Sequence, residues 1–409
     1  MSTYNPGDII TNKLEITSSR GSLDVASSFA SLSIYESIFT PGMVADLVLI
    51  DTDDHLGQIK IIGDETVNMS FQVPGGVTAN YKFGVQAIDG VGTVTSSLKS
   101  KQYTLKLVSE EALYAQTCVI KHAFNTQHSS AIKTILTDYL KTKKQIEVEE
   151  TQGVQHIKVA GYAPYDAINM IKLRSTSTQN KSSVFVLFET RGESDQIFKF
   201  STVEGLFKGS PVKTFQQSDG LNSNIENITH DQLLALEIPT QFNTIDRLTH
   251  SVTDVVSFDF RTHTLNKKRL TSDSEKYASG GDGNLLSSEL RQKYGNPKNA
   301  KTLFIPEDNS ARANTHIPEI AHNQKAYLGI LLESALKIRT YGDFVLKAGA
   351  VIKLDIPNKV STTGNKENDT FLSGNFLISR IHHDIGFFGE NPRYTCVVEC
   401  IKGNPEKGV

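Results

Sequence analysis

The sequence predicts an α+β, multidomain chain: two similar antiparallel β-barrel domains with an α/β domain inserted between them. Three observations lead there. Apolar and polar residues alternate with period two near both ends of the chain. Helical spacing and capping signals replace the alternation from Ser109 onward. The two alternating regions also echo each other in the order of their strands and turns.

The first region spans residues 1–108. Met43, Ala45, Leu47 and Leu49 alternate with other residues in MVADLVLID, and Val67, Met69, Phe71 and Val73 do so in VNMSFQV. YTLKL, from Tyr103, continues the pattern. Successive strand residues point to opposite faces, so this spacing buries one face and wets the other. Turn residues fall between the strands, at Asp51–Asp54, at Pro74-Gly75-Gly76 and at Asp89-Gly90.

Residues 109–236 read as the α/β domain. Ser109 is placed to cap a helix, with Glu110 and Glu111 in a first turn that favours negative charge. Ile132, Ile135, Leu136, Tyr139 and Leu140 mark a second helix. Pro164 opens a third, which presents Ile168 and Ile171. Strands follow at Val184–Phe188 and Ile197–Phe200, and a short helical pattern covers Asn222–Leu236.

The second barrel is assigned to 237–265 and 325–403. It begins with a strand at Val252–Phe260, and 266–324 forms a loop-rich insertion that interrupts it. A helix carries Tyr327, Leu328, Leu331, Leu332, Ala335 and Leu336. Strands close the chain at Val351–Ile356, Asn375–His382 and Tyr394–Ile401. The echo sets a strand ending in Pro74, one with Phe83 and Val85, and one opening Tyr103-Thr104 against Pro357, Phe376 with Ile378, and Tyr394-Thr395. Such an echo is the mark of a duplicated unit.

Bulk properties fit this picture. A length of 409 residues is enough for two to four units of about 100–200 residues. Hydrophobic residues make up 38% and charged residues 21%, a globular balance. The formal net charge of −3 supplies no basic face for nucleic acid. The runs Lys141–Lys144 and Lys267–Arg269 read as solvated element ends. Cys118, Cys396 and Cys400 are too few for a disulfide framework. Cys396 and Cys400 share a strand face about 13 Å apart, beyond bonding reach. A reducing cytoplasm is the expected place of folding. MSTYNPGDII has no basic start followed by an apolar run, and no stretch approaches the ~18 apolar residues of a membrane span.

Chemistry-bearing patterns are weak, and no catalytic, cofactor-binding or metal residue is assigned. Gly280–Gly283 lacks the Lys-Ser/Thr that completes a phosphate loop. Asp51, Asp53 and Asp54 lack the Gly and Glu that complete a calcium loop, so a solvated turn is expected. His316, Glu319 and His322 are the most zinc-like group. Six residues leave the two histidines about 120° apart around a helix, and Pro318 places His316 ahead of it. His382 and His383 point to opposite faces of a strand and read as ordinary barrel positions. A cell-wall hydrolase would need two carboxylates across a sugar cleft. Trp is absent and aromatics total 8%, a poor supply of sugar platforms.

The order of segments carries a resemblance. LSIYESIFTPGMVADLVLIDTDD, IIGDETVNMSFQVPGG and YTLKLVSEEAL are similar to the opening barrel of the central baseplate hub proteins of contractile-tailed, T-even-like bacteriophages. SSVFVLFETRGESDQIFKFSTVEGLF resembles that family's middle hairpin and helix. Gly342, Leu346, Gly349, Val351, Leu354 and Ile381-His382-His383 resemble its closing barrel. Residues 266–324 match poorly. The resemblance implies tail-tube-like barrels and a structural role without catalysis or cofactor. It implies a homotrimeric ring in the virion baseplate, with six barrels around a channel that DNA crosses without specific binding. Implied partners are a trimeric spike, the tail tube or its initiator, and baseplate wedge proteins. Other readings are the hub of another contractile injection system and a tail-associated hydrolase. The second of these is disfavoured by the missing motifs.

Overall fold

A computed structural model describes residues 5–402, apart from 53–54, 59, 94–99, 180–181, 217–230, 239–243, 251, 260–261, 272–291, 295–297, 299, 308–316, 334, 358–367, 370–371 and 389–390. The protein is mostly β. The first region supplies β1 (Ile10–Ser18), β2 (Gly21–Asp24), β3 (Phe29–Ser37), β4 (Val44–Asp51), β5 (Thr66–Gln72), β6 (Thr78–Thr93) and β7 (Lys101–Val108). The middle holds β8 (Ile120–Thr126), β9 (Gln145–Val148), β10 (Gln155–Tyr162), β11 (Phe185–Arg191) and β12 (Gln196–Thr202). Then come β13 (Thr214–Gln216), β14 (Leu233–Glu237), β15 (Val252–Asp259), β16 (Thr264–Thr271) and β17 (Lys301–Glu307). The chain closes with β18 (Ala335–Tyr341), β19 (Val351–Asp355), β20 (Gly374–Phe388) and β21 (Asn391–Ile401).

Both end regions join one large sheet, almost wholly antiparallel, in the order β14-β18-β21-β20-β3-β4-β7-β6-β5-β1-β2, with β19 and then β13 beside β20. The alternation predicted it. Ala45, Leu47 and Leu49 are buried, and so are Val67, Met69 and Phe71. Burial of each such side chain favours folding by about 1.5–3 kcal/mol. One core takes Leu47, Phe83 and Leu105 from the first region with Ile338, Phe376 and Val398 from the last. Cys396 and Cys400 lie in that core as free thiols. The expectation of two separate barrels meets a different picture at the level of pairing. Antiparallel bonds from Arg380↔Ser37 to Gly386↔Ser31 fuse the two regions, and among the described residues the pairing closes neither one on itself.

The echo is deeper than its residues suggested. The order β3-β4-β7-β6-β5 recurs as β14-β18-β21-β20-β19, with every neighbour antiparallel. Gly84 faces Val108 as Leu377 faces Ile401, and Val44 faces Val108 as Ala335 faces Ile401. One irregularity falls between Val85 and Ala87, its counterpart between Ile378 and Arg380. Another falls between Phe29 and Ser31, its counterpart between Leu233 and Ala235. Val85 N donates to Glu65 O at 3.1 Å and Ile378 N to Ala350 O at 2.8 Å. A bulge is a positional device of a sheet, so coincident bulges mark equivalent strands. Phe83 corresponds to Phe376, as the sequence suggested. Tyr103 corresponds to Cys396 and not to Tyr394, a slip of two residues that keeps the same face.

The middle domain forms around a second core of Ile132, Ile135, Leu136, Ile168, Ile171, Phe198 and Phe200. The helices Glu110–Thr117 and Pro164–Lys172 lie where their spacing placed them; the second is α-helical only over His128–Thr134 and continues as a π-helical turn over Ile135–Tyr139, which carries most of the residues that marked it. β8 pairs with β10, and β11-β12-β9 makes a second small sheet. Three expectations need correction. Leu233–Leu236 is strand and not helix, because Leu233 and Leu236 pack on the large core while β14 pairs with β18; residues 222–230 lie outside the described ones. The late helix runs Ile317–Glu333. Ala335 and Leu336 instead open β18, where Leu336 and Ile338 keep a strand alternation against β21. The loop-rich stretch 266–324 contains most of β16, all of β17 and the start of that helix, and β15 pairs with β16 and β17 in a sheet of its own.

Gly342 donates its amide to Tyr394 O at 2.9 Å, and a Cβ there would run into the Tyr394 ring. That ring is fully buried, 4.7 Å from Phe344. Gly342→Ala is expected to lower stability by about 3 kcal/mol, the upper part of the overpacking range. Thermal melting checks this, and an unchanged midpoint would contradict it.

Candidate functional site

β11 runs between the middle domain and the large sheet, and all seven of its residues are buried. Phe185 and Leu187 enter the middle core, while Val186 and Phe188 enter a smaller core shared with the sheet. Adjacent strand residues face opposite ways. Glu189 therefore joins one polar cluster and Thr190 another, and together the clusters fasten three parts of the chain.

The first cluster lies on the seam of β3 and β20. Glu36 and His383 are 0% and 1% exposed, with Oε1 and Nε2 3.6 Å apart. That is an ion pair, too long for a hydrogen bond. Thr190 Oγ1 donates to Glu36 Oε2 at 2.7 Å, and the Ala348 amide donates to the same oxygen at 3.0 Å. His383 Nδ1 is 2.7 Å from the Tyr394 hydroxyl and 3.4 Å from Cys396 Sγ. Burial opposes charge on both partners. For Glu36 it is outweighed by His383, Thr190 and Ala348, which hold the carboxyl below its usual value. For His383 it is outweighed by Cys396 and Glu36, which raise the imidazole to about 9. Beside them Arg191 Nε donates to Phe344 O at 2.8 Å and ties the loop before β19.

The second cluster joins β11 to the first region. Lys144 Nζ lies 2.6 Å from both Glu111 Oε2 and Glu189 Oε1. Glu189 also accepts from Gln196 Nε2 at 2.9 Å, from the Met43 amide at 3.0 Å and from the Ser109 hydroxyl. Burial and then Glu111 push the Glu189 carboxyl up, against the pull of Lys144. Burial works against the charge on Lys144, but the two carboxylates prevail and raise it. Ser109 stands at the N-cap position as expected, yet its side chain makes no cap bond and serves this cluster instead.

Two clefts adjoin. A polar one of about 670 Å³ is lined by Lys143, Glu147, Thr190, Asp195, Lys199 and Lys347 among others. An apolar one of about 550 Å³ lies among Met170, Leu173, Leu303, Ile305, Ile317 and Lys325. Of the clusters, Thr190 and Gln196 reach the polar cleft. The arrangement joins segments.

The residues singled out in the sequence are scattered. Asp51 is buried at the end of β4, while Asp53, Asp54, His316 and Gly280–Gly283 lie outside the described residues. Glu319 pairs with Lys268, and His322 is buried in its helix. Among the described residues no group of three His, Cys, Asp or Glu could hold a metal. His382 and His383 do face opposite ways. His382 stacks on Tyr35 with ring centres 4.4 Å apart, and His383 is far from an ordinary position. Lys144 corrects the solvated reading of its run, since it is half-buried and held between two carboxylates. Lys267–Arg269 lies on exposed β16, where Arg269 Nε meets Asp254 at 2.7 Å. The clusters themselves were missed, although a signal existed. Glu36 holds the buried phase of Leu32, Ile34 and Ile38, and His383 holds that of Ile381 and Ile385.

No family model matches the chain, and no curated protein matches its sequence. Its fold does match solved structures. A tail protein from Neisseria meningitidis MC58 aligns over 95% of this chain and 96% of its own, with a TM-score of 0.60 and 11% identity. The 43 kDa tail protein of prophage MuSo2 from Shewanella oneidensis aligns over 96% and 99%, with a TM-score of 0.55 and 10% identity. The chain therefore shares, over nearly its whole length, the fold of these two tail proteins.

A rise of the His383 imidazole from 6.5 to about 9 stabilises the folded state fully below pH 6.5. That contribution fades as pH climbs through about 9. The stabilisation from Glu36 has the opposite sense, present above its ordinary value and lost in acid. His383→Gln is expected to remove an alkaline loss on the order of 3 kcal/mol between these limits. Urea unfolding at several pH values measures it, and parallel profiles for the two proteins would refute it. Lys144→Met leaves two buried carboxylates without their cation and is expected to cost about 3–5 kcal/mol at pH 7, read from the same titrations.

Proposed function

We propose that the protein is the structural hub of a contractile phage tail, a homotrimeric ring in the virion baseplate that works without catalysis or cofactor. The observation that carries this is the repeat: five strands in one order, twice, with two pairs of coincident bulges. Three chains then offer six equivalent units on one side and three-fold symmetry on the other. The three-fold side suits a trimeric spike, and the six-fold side suits a tail tube or its initiator. Wedge proteins would pack outside. The likeness to two tail proteins, one of them from a prophage, over nearly the whole chain supports this setting.

Each repeat is read as a tail-tube-like barrel, the first in residues 1–108 and the second mainly in the last third of the chain, with the α/β domain between. Two contacts favour curling of each unit. Val25 N donates to Leu14 O at 3.0 Å, which brings β1 to the segment entering β3. Gln216 bridges Gln232, which brings β13 to the segment entering β14. DNA crosses the ring without specific binding. Each cation on a phosphate path adds affinity by releasing counterions, so a neutral or acidic lumen is expected.

Sedimentation and electron microscopy test the ring. A trimer with a central channel is expected, alone or with spike and tube proteins. Monomers under all these conditions would overturn the proposal.

A further inference from the structure

Two parts of the chain meet across the apolar cleft without closing their packing. The helix Pro164–Lys172 sends Ala167, Ile168 and Ile171 into the middle core. Met170 packs on that core only in part, and Leu173, just past the helix, is 53% exposed. The second wall is β17. Leu303 and Ile305 pair with Val255 and Ser257 on β15 and share the face of those buried residues. Phe304 between them points the other way and is 78% exposed. The helix Ile317–Glu333 makes the third wall. Ile317, Ala321, Gln324 and Lys325 stand at i, i+4, i+7 and i+8, one stripe of an α-helix. Gln324 Nε2 donates to Ser183 O at 2.8 Å, which fastens this helix to the segment entering β11.

The three walls bound about 550 Å³. That lies within the ~300–1,000 Å³ typical of ligand pockets. It is the space of about eighteen waters at roughly 30 Å³ each. Apart from Gln324, the lining consists of apolar side chains and two cations, Arg174 and Lys325, with no carboxylate among the described residues. Both cations are half-buried. Burial and then Lys301 hold the Lys325 amine below its usual value, with no carboxylate acting the other way. An anion beside it would offset both effects.

We propose that this cleft binds a long-chain fatty acid, with the alkyl chain between Met170, Leu173, Leu303, Ile305 and Ile317 and the carboxylate on Lys325 and Arg174. The site is independent of the ring proposed above. The walls favour an unbranched apolar chain, which removes their side chains from water along with its own surface. The cations favour a carboxylate: Arg174 has a planar fork that matches its two oxygens, and Lys325 adds a point charge. An alcohol of equal length would bury the same surface and leave both cations unanswered. Sixteen carbons with a carboxylate, about eighteen heavy atoms, suit a space of this size, and a lipid with two such chains exceeds it.

Displacement of a fluorescent fatty acid from the delipidated full chain measures binding. Hexadecanoate is expected to bind one per chain and at least tenfold more tightly than hexadecanol. Lys325→Met keeps the apolar stem and removes the charge. It is expected to weaken hexadecanoate at least tenfold and hexadecanol less than twofold. Ala321→Phe fills the cleft from its helix and is expected to abolish binding of both. Ile305→Trp fills it from the opposite wall, so the test stands if the first filling variant fails to fold; thermal melting identifies the folded one. The proposal is overturned if hexadecanoate and hexadecanol bind alike, if nothing binds saturably, or if hexadecanoate binds a folded filling variant as well as it binds the wild-type protein.

Discussion

The antiparallel pairing of β20 with β3 is the constraint on which the rest of the molecule depends. It takes strands from near the two ends of the chain and makes them neighbours. Once they meet, the two β regions share a sheet and a core, and everything between them must form on that platform. The middle domain is pinned through β11, whose polar end reaches both repeats. The ions at this seam are buried together, which makes partner loss costly while saying little about net gain. Their effect is to specify: a shifted strand would leave Glu36 or His383 alone in an apolar interior.

The repeat explains why the two β regions are so heavily patterned. A sheet can bury its apolar face with many sequences, but bulges fall where the backbone needs to bend. Their recurrence at matching places shows two units built to one plan. What differs between them is charge. Asp46 opposite Lys106 in the first unit is replaced by Lys337 opposite Glu399 in the second, the same pairing with its signs exchanged.

The alternating stretches of both β regions, the helix opening at Pro164 and the strands on either side of Gly192 were legible in the sequence, because local periodicity sets them. The repeat was visible through Phe83 and Phe376 but was misaligned at Tyr103, since equal residues on one strand face can slide by two without disturbing the pattern. β14 and the start of β18 were read as helix. Leu233 and Leu236 are three apart, a helical spacing that falls on one strand face only through the bulge between Leu233 and Ala235, and Leu332 and Leu336 are four apart, which suits either period. The polar clusters were illegible as sites. Glu36 meets His383, and Glu189 meets Lys144, only after folding. What the sequence did show was a charged residue in the buried phase of a strand, a sign that a partner waits elsewhere in the chain.

Glu36 has a second consequence, one of timing. β3 is complete before residue 40, whereas its partner strand begins at Gly374. At about 5–20 residues per second, a ribosome leaves that edge bare for some tens of seconds. An uncovered apolar strand in a crowded cell invites neighbours to pair with it. β3 carries Ser31, Ser33, Glu36 and Ser37, and its carboxylate points inward. An inward-pointing charge is one of the devices that guard an edge strand against foreign pairing, and Glu36 carries it until its partner His383 is made.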